Sequence, residues 1–328
     1  MTYDEVRKQF NALFNQEMSK IQMKELLVGM TLDANTSVEA IAAAASVMRE
    51  NAIPLPISEE LRLKSMDIVG TGGDKIGSFN ISSTVSILVA SAGVYVAKHG
   101  SRSVTSKSGS ADMFEKLGVR LDLCLKNSAK LLEESGFTFM FAQNHHPAMR
   151  FIMPIRKSIK DKTIFNILGP LTNPAGVKKS LLGVFNKSFV SKMNEALKIN
   201  GSTSIMVVSS REGMDEISIS DITYASRLCE GRIHEFEIDP QEYGIRLVPL
   251  KAIVGGDATF NAEILHNIFN SKATDAQRDI VCLNAAAAFM IDGYARDIQD
   301  GLEIAQKMIK TGKAKEKLKQ IIDISNKL

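Results

Sequence analysis

Residues 67–112 read DIVGTGGDKIGSFNISSTVSILVASAGVYVAKHGSRSVTSKSGSAD, two glycine- and hydroxyl-rich segments around one apolar run. Residues 67–69 form a short strand-like run that stops at Gly70, Thr71, Gly72, Gly73 and Asp74. Three glycines in four positions let backbone N–H groups approach a ligand with no Cβ in the way. Residues 82–92 predict a buried helix, and residues 94–97, β-branched and aromatic, a second strand. A crossover helix between neighbouring strands makes them parallel, so the loops that follow them share the carboxyl edge of the sheet. Segments 70–83 and 98–110 are therefore expected to face one crevice.

Upstream of this unit, residues 1–62 carry only helical spacing. Thr2 with Glu5 forms a capping-box pattern ahead of Val6, Phe10, Leu13 and Phe14. Residues 21–30 predict a second helix, and Ser37 opens a third over residues 40–48. Pro54 and Pro56 then interrupt the helical run, placing a boundary near residues 52–65. Downstream, strands are expected at 137–141, 181–185, 205–208 and 216–224. Helices are expected at 111–117, 128–134, 189–199, 261–269, 274–291 and 302–309, with Thr274 and Gln277 a second capping box. Residues 145–174 break the alternation with helix and loop and are expected to pack on the N-terminal helices. The fold class is α/β: a small all-helical N-terminal domain, 1–64, completed by helices within 145–174, and a larger α/β domain, 65–328, with a mainly parallel central sheet.

The chain has 328 residues, 45% of them hydrophobic, enough to bury a sizeable core. Its 40 basic and 37 acidic residues leave a net charge of +3 without long runs, which gives no footprint for nucleic acid or a membrane surface. Three cysteines, Cys124, Cys229 and Cys282, are too few and too widely spaced for a disulfide framework or a zinc site. The first ten residues lack an apolar signal core, and the run 85–97 is too short to span a bilayer, so a soluble, cytoplasmic protein is expected.

The segment 70–74 is neither a dinucleotide fingerprint nor a P-loop. Its spacing is GTGGD rather than GxGxxG, and Ser78 and Phe79 stand where a P-loop needs Lys and Ser or Thr. What remains is a nest of N–H groups followed by Asn80, Ser82, Ser83 and Thr84 at a helix start, where the helix dipole favours an anion. The second segment adds Lys98, His99 and Arg102 with several hydroxyls. Asp215 and Glu216 follow the strand expected at 205–208, at the same sheet edge. Two carboxylates facing a phosphate repel it unless a cation lies between them, and Mg²⁺ binds through one or two carboxylates plus substrate phosphates.

With these segments in place the chain resembles the anthranilate phosphoribosyltransferases of the nucleoside-phosphorylase-like class. The resemblance rests on GTGGD at 70–74, FNIS at 79–82, KHGSR at 98–102, SKSGSAD at 106–112, HHPAMR at 145–150, TIFNILGPLTNPA at 163–175 and GMDEIS at 213–218. It implies transfer of the phosphoribosyl group from 5-phosphoribosyl 1-pyrophosphate to anthranilate, a step of tryptophan biosynthesis, with two Mg²⁺ ions and a homodimer. By resemblance, phosphoribosyl pyrophosphate is held by Gly70, Gly73, Asp74, Ser78, Asn80, Ile81, Ser82 and Ser83. The same ligand is held by Lys98, His99, Gly100, Ser101, Arg102, Ser103, Val104, Thr105, Ser106 and Ser110. Gly70, Ser101 and Arg156 match the anthranilate site, and Ser82, Asp215 and Glu216 the metal ligands. No acid or base is assigned.

Three positions depart from the family pattern: Ser101 replaces a usual Asn, Ser83 a usual Thr, and Lys160-Asp161-Lys162 a usual Gly-x-Arg. A pyrimidine nucleoside phosphorylase shares the glycine loop and a Lys-His-Gly-like segment but needs no carboxylate-reading arginine. A nucleic-acid-binding homologue needs a basic groove with aromatic stacking partners. The absence of Trp, the five Tyr and the near-neutral charge disfavour that second reading.

Overall fold

Local capping starts the helices where the sequence predicts. In the computed structural model, which describes residues 1–103 and 107–328, Thr2 accepts the Glu5 N–H while Glu5 reaches back to the Thr2 N–H at 2.8 Å. Thr274 and Gln277 repeat the exchange at the head of Asp275–Asp292. Each cap contributes about 1 kcal/mol.

Among the described residues seven strands form one sheet: β1 (Ser65–Gly70), β2 (Tyr95–Gly100), β3 (Phe137–Phe141), β4 (Lys179–Gly183), β5 (Ser204–Ser210), β6 (Thr223–Cys229) and β7 (Arg232–Ile238). Their order is β3-β2-β1-β4-β5-β6-β7. The first five pair in parallel, while β6 and β7 close the edge antiparallel. Alternate side chains enter different cores. Leu181, Met206 and Val208 pack with the helices Ile81–Ser91 and Asp275–Asp292, and Leu182, Ile205 and Val207 with Val190–Ile199. Both faces are covered, as a parallel sheet requires.

The helices Tyr3–Phe14, Lys20–Gly29 and Val38–Glu50 share the second core with Ile152, Ile164, Phe165, Ile167 and Leu168. Phe10 stacks on Phe165 with ring centroids 5.7 Å apart.

Two expectations need correction. The second strand does not stop at Ala97 but continues to Gly100, because Lys98 and His99 find buried polar partners and remain in the ladder with β3. Residues 216–222 are loop, not strand; Ile217 and Ile219 are buried there by packing, and their alternation imitates a strand. The strand that does form, β6, turns through Glu230 and Gly231, both at positive φ, into β7. That two-residue turn is the primed geometry that closes hairpins.

Candidate functional site

The strand order reverses between β1 and β4, so the loops after these two strands diverge and open a crevice at the carboxyl edge. Glycines let another segment cross it. A Cβ on Gly183 would lie 1.6 Å from the Asp215 carbonyl oxygen, and one on Gly70 would lie 2.4 Å from Asp215 Oδ2. The Gly213–Ser218 stretch therefore lies directly over the ends of β1 and β4, where only glycine fits beneath it.

Each carboxylate then holds one wall. Asp215 Oδ2 accepts from the Gly72 N–H at 2.6 Å, and Glu216 Oε1 accepts from the Ser82 N–H at 3.0 Å in the first turn of Ile81–Ser91. Burial raises both carboxyls above their ordinary range. Repulsion from Asp74 adds to the shift of Asp215, and repulsion from Asp215 to that of Glu216. Lys98 is not the loop cation expected. It is buried within β2, donates to the Ile68 carbonyl and, at 3.4 Å, to Ser82 Oγ, and faces Asp67, Glu216 and Asp215. Burial lowers the Lys98 ammonium and raises Asp67 to about 6, with Lys98 opposing the latter shift.

One buried ammonium leaves Asp215 and Glu216 short of positive charge. Among the described residues no three His, Cys, Asp or Glu side chains form a ready metal cage. Two carboxylates with the Ser82 hydroxyl alongside are hard oxygen donors that suit a cation whose remaining ligands come from substrate phosphate and water.

The glycine loop is braced from behind. The Phe79 N–H donates to the Ile253 carbonyl at 3.2 Å and the Gly255 N–H to the Gly77 carbonyl at 2.8 Å. Asn80 Oδ1 accepts from Ser108 Oγ at 3.2 Å and from Asn261 Nδ2 at 2.8 Å, joining the first loop to the second. The Ser83 hydroxyl is buried and makes no hydrogen bond among the described residues. Asp74 Oδ1 accepts from the Ile76 N–H, and Ser78 pairs with Val254 in an isolated bridge.

In the second loop, Ser110 Oγ donates to the Ser101 carbonyl at 3.3 Å, and a Cβ on Gly100 would strike that same Ser110 oxygen. Arg102 pairs with Asp112 at 2.9 Å and with Glu115, both on Ser110–Lys116, so its charge is already matched. The Ser103 N–H donates to Asp112. Val104, Thr105 and Ser106 lie outside the described residues. The His99 and His146 rings stand 5.2 Å apart. Burial lowers both, His146 to about 4, so both are neutral at pH 7.

Arg156 sits near the end of Met149–Lys157. It donates to the Phe165 carbonyl at 3.3 Å, lies 5.3 Å from the Phe165 ring centroid, and has no carboxylate partner among the described residues. Burial lowers its pKa. It makes no hydrogen bond to Gly70 or Ser101, the other two residues expected at the acceptor site. A half-buried guanidinium without a counter-ion matches a ligand carboxylate.

Three asparagines escaped the sequence reading. Asn173 Nδ2 donates to Asp67 Oδ2 at 2.7 Å and to the Ala97 carbonyl at 2.9 Å, tying β1 to β2 beneath His99, whose N–H donates to Asp67 Oδ1. Asn261 braces Asn80. Asn284, fully buried, accepts from the Ile217 N–H at 2.9 Å and donates to the Ile217 carbonyl at 2.8 Å, fixing the backbone next to Glu216. The signal for Asn284 was its place in LNAAAA, since a polar amide in the apolar run 280–291 of its helix needs a partner. Asn284→Leu orphans both groups of Ile217, at about 1–3 kcal/mol each. Urea unfolding should report the lost stability, and displacement of Asp215 and Glu216 should raise the divalent-cation requirement.

Residues 62–315 match the family model described as "Glycosyl transferase family, a/b domain". Over 328 residues the chain is 43% identical to the anthranilate phosphoribosyltransferase of Xanthobacter autotrophicus, covering 100% of this chain and 94% of that relative. The crystal structure of the Thermus thermophilus anthranilate phosphoribosyltransferase superposes with a TM-score of 0.91 at 34% identity, covering 99% of this chain and 96% of that one. The Saccharomyces cerevisiae enzyme in complex with PRPP and Mg superposes with a TM-score of 0.86 at 25% identity, covering 99% and 93%.

Proposed function

The chain belongs to the anthranilate phosphoribosyltransferases and transfers the 5-phosphoribosyl group of 5-phosphoribosyl 1-pyrophosphate to the amine of anthranilate, releasing pyrophosphate; from that premise we propose how its residues divide the work. The observation that supports the division is the meeting of Asp215 and Glu216 with the Gly72 and Ser82 N–H groups across the switch point.

Phosphoribosyl pyrophosphate lies along Gly70, Gly73, Asp74, Ser78 and Asn80–Ser83, and against Gly100, Ser101, Arg102, Ser103 and Ser110, with Lys98 and His99 beneath it inside β2. Asp215, Glu216 and the Ser82 hydroxyl would hold Mg²⁺, with two ions proposed for the full site. Bound there, the metal supplies positive charge against the departing pyrophosphate. The chain does the rest by position. Lys98 stays buried as an internal counter-ion to Asp67 and Glu216, keeping that wall of the crevice in place. Arg156 grips the anthranilate carboxylate and turns the amine toward C1 of the ribose. The aromatic amine is neutral at pH 7, so no base has to activate it before attack. C1–O breaks toward pyrophosphate, C1–N forms, and the proton the amine loses passes to the departing pyrophosphate or to water.

We further propose a division into a helical unit, 1–64 with helices of 145–174, and an α/β unit, 65–328, and a homodimer joined through the helical unit. Ile21 and Val28 on Lys20–Gly29, 70% and 50% exposed, and Phe151, 51% exposed, offer an apolar face for that contact. No described helix is long and apolar enough to cross a membrane; a cytoplasmic setting is part of the same proposal.

The assay is direct. Anthranilate should be consumed with equimolar pyrophosphate release only when phosphoribosyl pyrophosphate and Mg²⁺ are both present. Thymidine and uridine should not be phosphorolysed; phosphorolysis without anthranilate consumption would overturn the reading.

A further inference from the structure

Lys162 belongs to the acceptor side of the molecule by its backbone and to the donor side by its ammonium. Its carbonyl accepts from the Leu32 N–H at 2.8 Å, and the Ile164 N–H donates to the Met30 carbonyl at 2.9 Å, so the segment following the Arg156 helix is stapled to the N-terminal helices. Thr163 bridges Thr31 beside it. From this anchor the side chain crosses to the crevice. Nζ donates to the Gly73 carbonyl at 2.9 Å and stands 3.2 Å from the centre of the Phe185 ring, just beyond β4. Among the described residues this is the only hydrogen bond between segment 149–168 and loop 70–80.

The contact controls more than one atom. All peptides among the described residues are trans, so the Gly73 carbonyl and the Asp74 N–H point in opposite directions across one plane. Pulling the carbonyl toward Lys162 turns the Asp74 N–H away from it, as a donor for an anion held by the loop. Gly73 is at φ +76°, where the plane has few steric restraints of its own, so the ammonium supplies the restraint. Asp74 and Asp215 attract that ammonium and Lys75 opposes it.

We infer that Lys162 is a positioning residue that couples the two substrate sites: it orients the Gly73–Asp74 peptide for pyrophosphate and, through the same contact, ties the Arg156 segment to the occupied loop. The inference rests on the assignment of loop 70–83 to the donor and Arg156 to the acceptor. Coupling of this kind is reciprocal, each ligand tightening the other by the same factor.

The test uses the full chain, with anthranilate titrated by its fluorescence in the absence and presence of magnesium pyrophosphate, which cannot react with it. Wild type should bind anthranilate about fivefold or more tightly when magnesium pyrophosphate is present, the usual lower range for coupled sites. In Lys162→Met the factor should fall to about one, with anthranilate affinity measured alone changed less than about twofold. Lys162→Arg, which keeps a donor and a cation over Phe185, should restore the coupling. Thermal unfolding of all three proteins separates this result from loss of fold. Coupling retained in Lys162→Met, absent from wild type, or not restored by Lys162→Arg overturns the inference. A wild-type protein that binds neither ligand overturns the functional reading as well, whereas one that turns over while Lys162→Met stays coupled overturns the inference alone.

Discussion

Asp215→Asn with Glu216→Gln lowers the magnesium-dependent rate by on the order of 10³-fold or more. The pair loses its two negative charges while keeping its shape, so the Gly72 and Ser82 N–H groups still find oxygen acceptors and the loops remain in place. A metal's stabilisation of a departing phosphate is worth several kcal/mol, about 4 being enough for that factor. Steady-state rates across a Mg²⁺ titration check it; an undiminished rate would remove the metal assignment. Direct Mn²⁺ binding, followed by its paramagnetic resonance, gives a readout independent of turnover.

A pH dependence follows with a definite sign. Burial, then repulsion of Asp215 by Asp74 and of Glu216 by Asp215, raises both carboxyls, so they take up protons earlier on acidification than ordinary carboxylates do. Protons and metal compete for the same oxygens. The Mg²⁺ needed for half-maximal rate therefore rises as pH falls, and saturating Mg²⁺ recovers the rate. An Mg²⁺ requirement independent of pH would show that these two groups are not the ligands.

Arg156→Ala raises the anthranilate requirement by ~30-fold or more while leaving that for phosphoribosyl pyrophosphate within a few-fold. Breaking a desolvated charge pair costs roughly 2–5 kcal/mol, and 1.4 kcal/mol is a factor of ten. Among the described residues the guanidinium meets only the Phe165 carbonyl and ring and the Met153 sulfur, so little fold stability is lost with it. Arg156→Lys restores charge but not the two-pronged grip, and should recover only part of the affinity. Equal effects on both substrates would place Arg156 outside the acceptor site.

The departures from the family pattern divide once the geometry is known. Ser101 contributes its carbonyl to Ser110 and Ala111, a role any residue can fill. Lys162, standing for the usual arginine, reaches the glycine loop. Nothing in the structure explains Lys160.

What could be read from the sequence was local or periodic. The caps at Thr2 and Thr274 close within three residues, and the helix–strand alternation declares a parallel sheet. Glycines at 70, 72 and 73 ahead of a hydroxyl-rich helix start are the local pattern expected of an anion site. The errors came where polarity and burial part company. Lys98 and His99 look like a loop because they are polar, yet the ladder and Asp67 accept them inside β2. The ISISDI run after Glu216 alternates like a strand, yet packs as a buried loop pinned by Asn284.

The sequence by itself therefore determined most element types, the glycine loop and the residue classes gathered at one sheet edge, because each depends on neighbours a few positions away. Only the tertiary structure decided which groups meet. Asp215 reaches Gly72 across 143 residues, Glu216 reaches Ser82 across 134, and Lys162 reaches Gly73 across 89. Such pairings exist because β1 and β4 lie side by side and glycines at 70 and 183 leave space above them, a fact of sheet order that no local pattern carries.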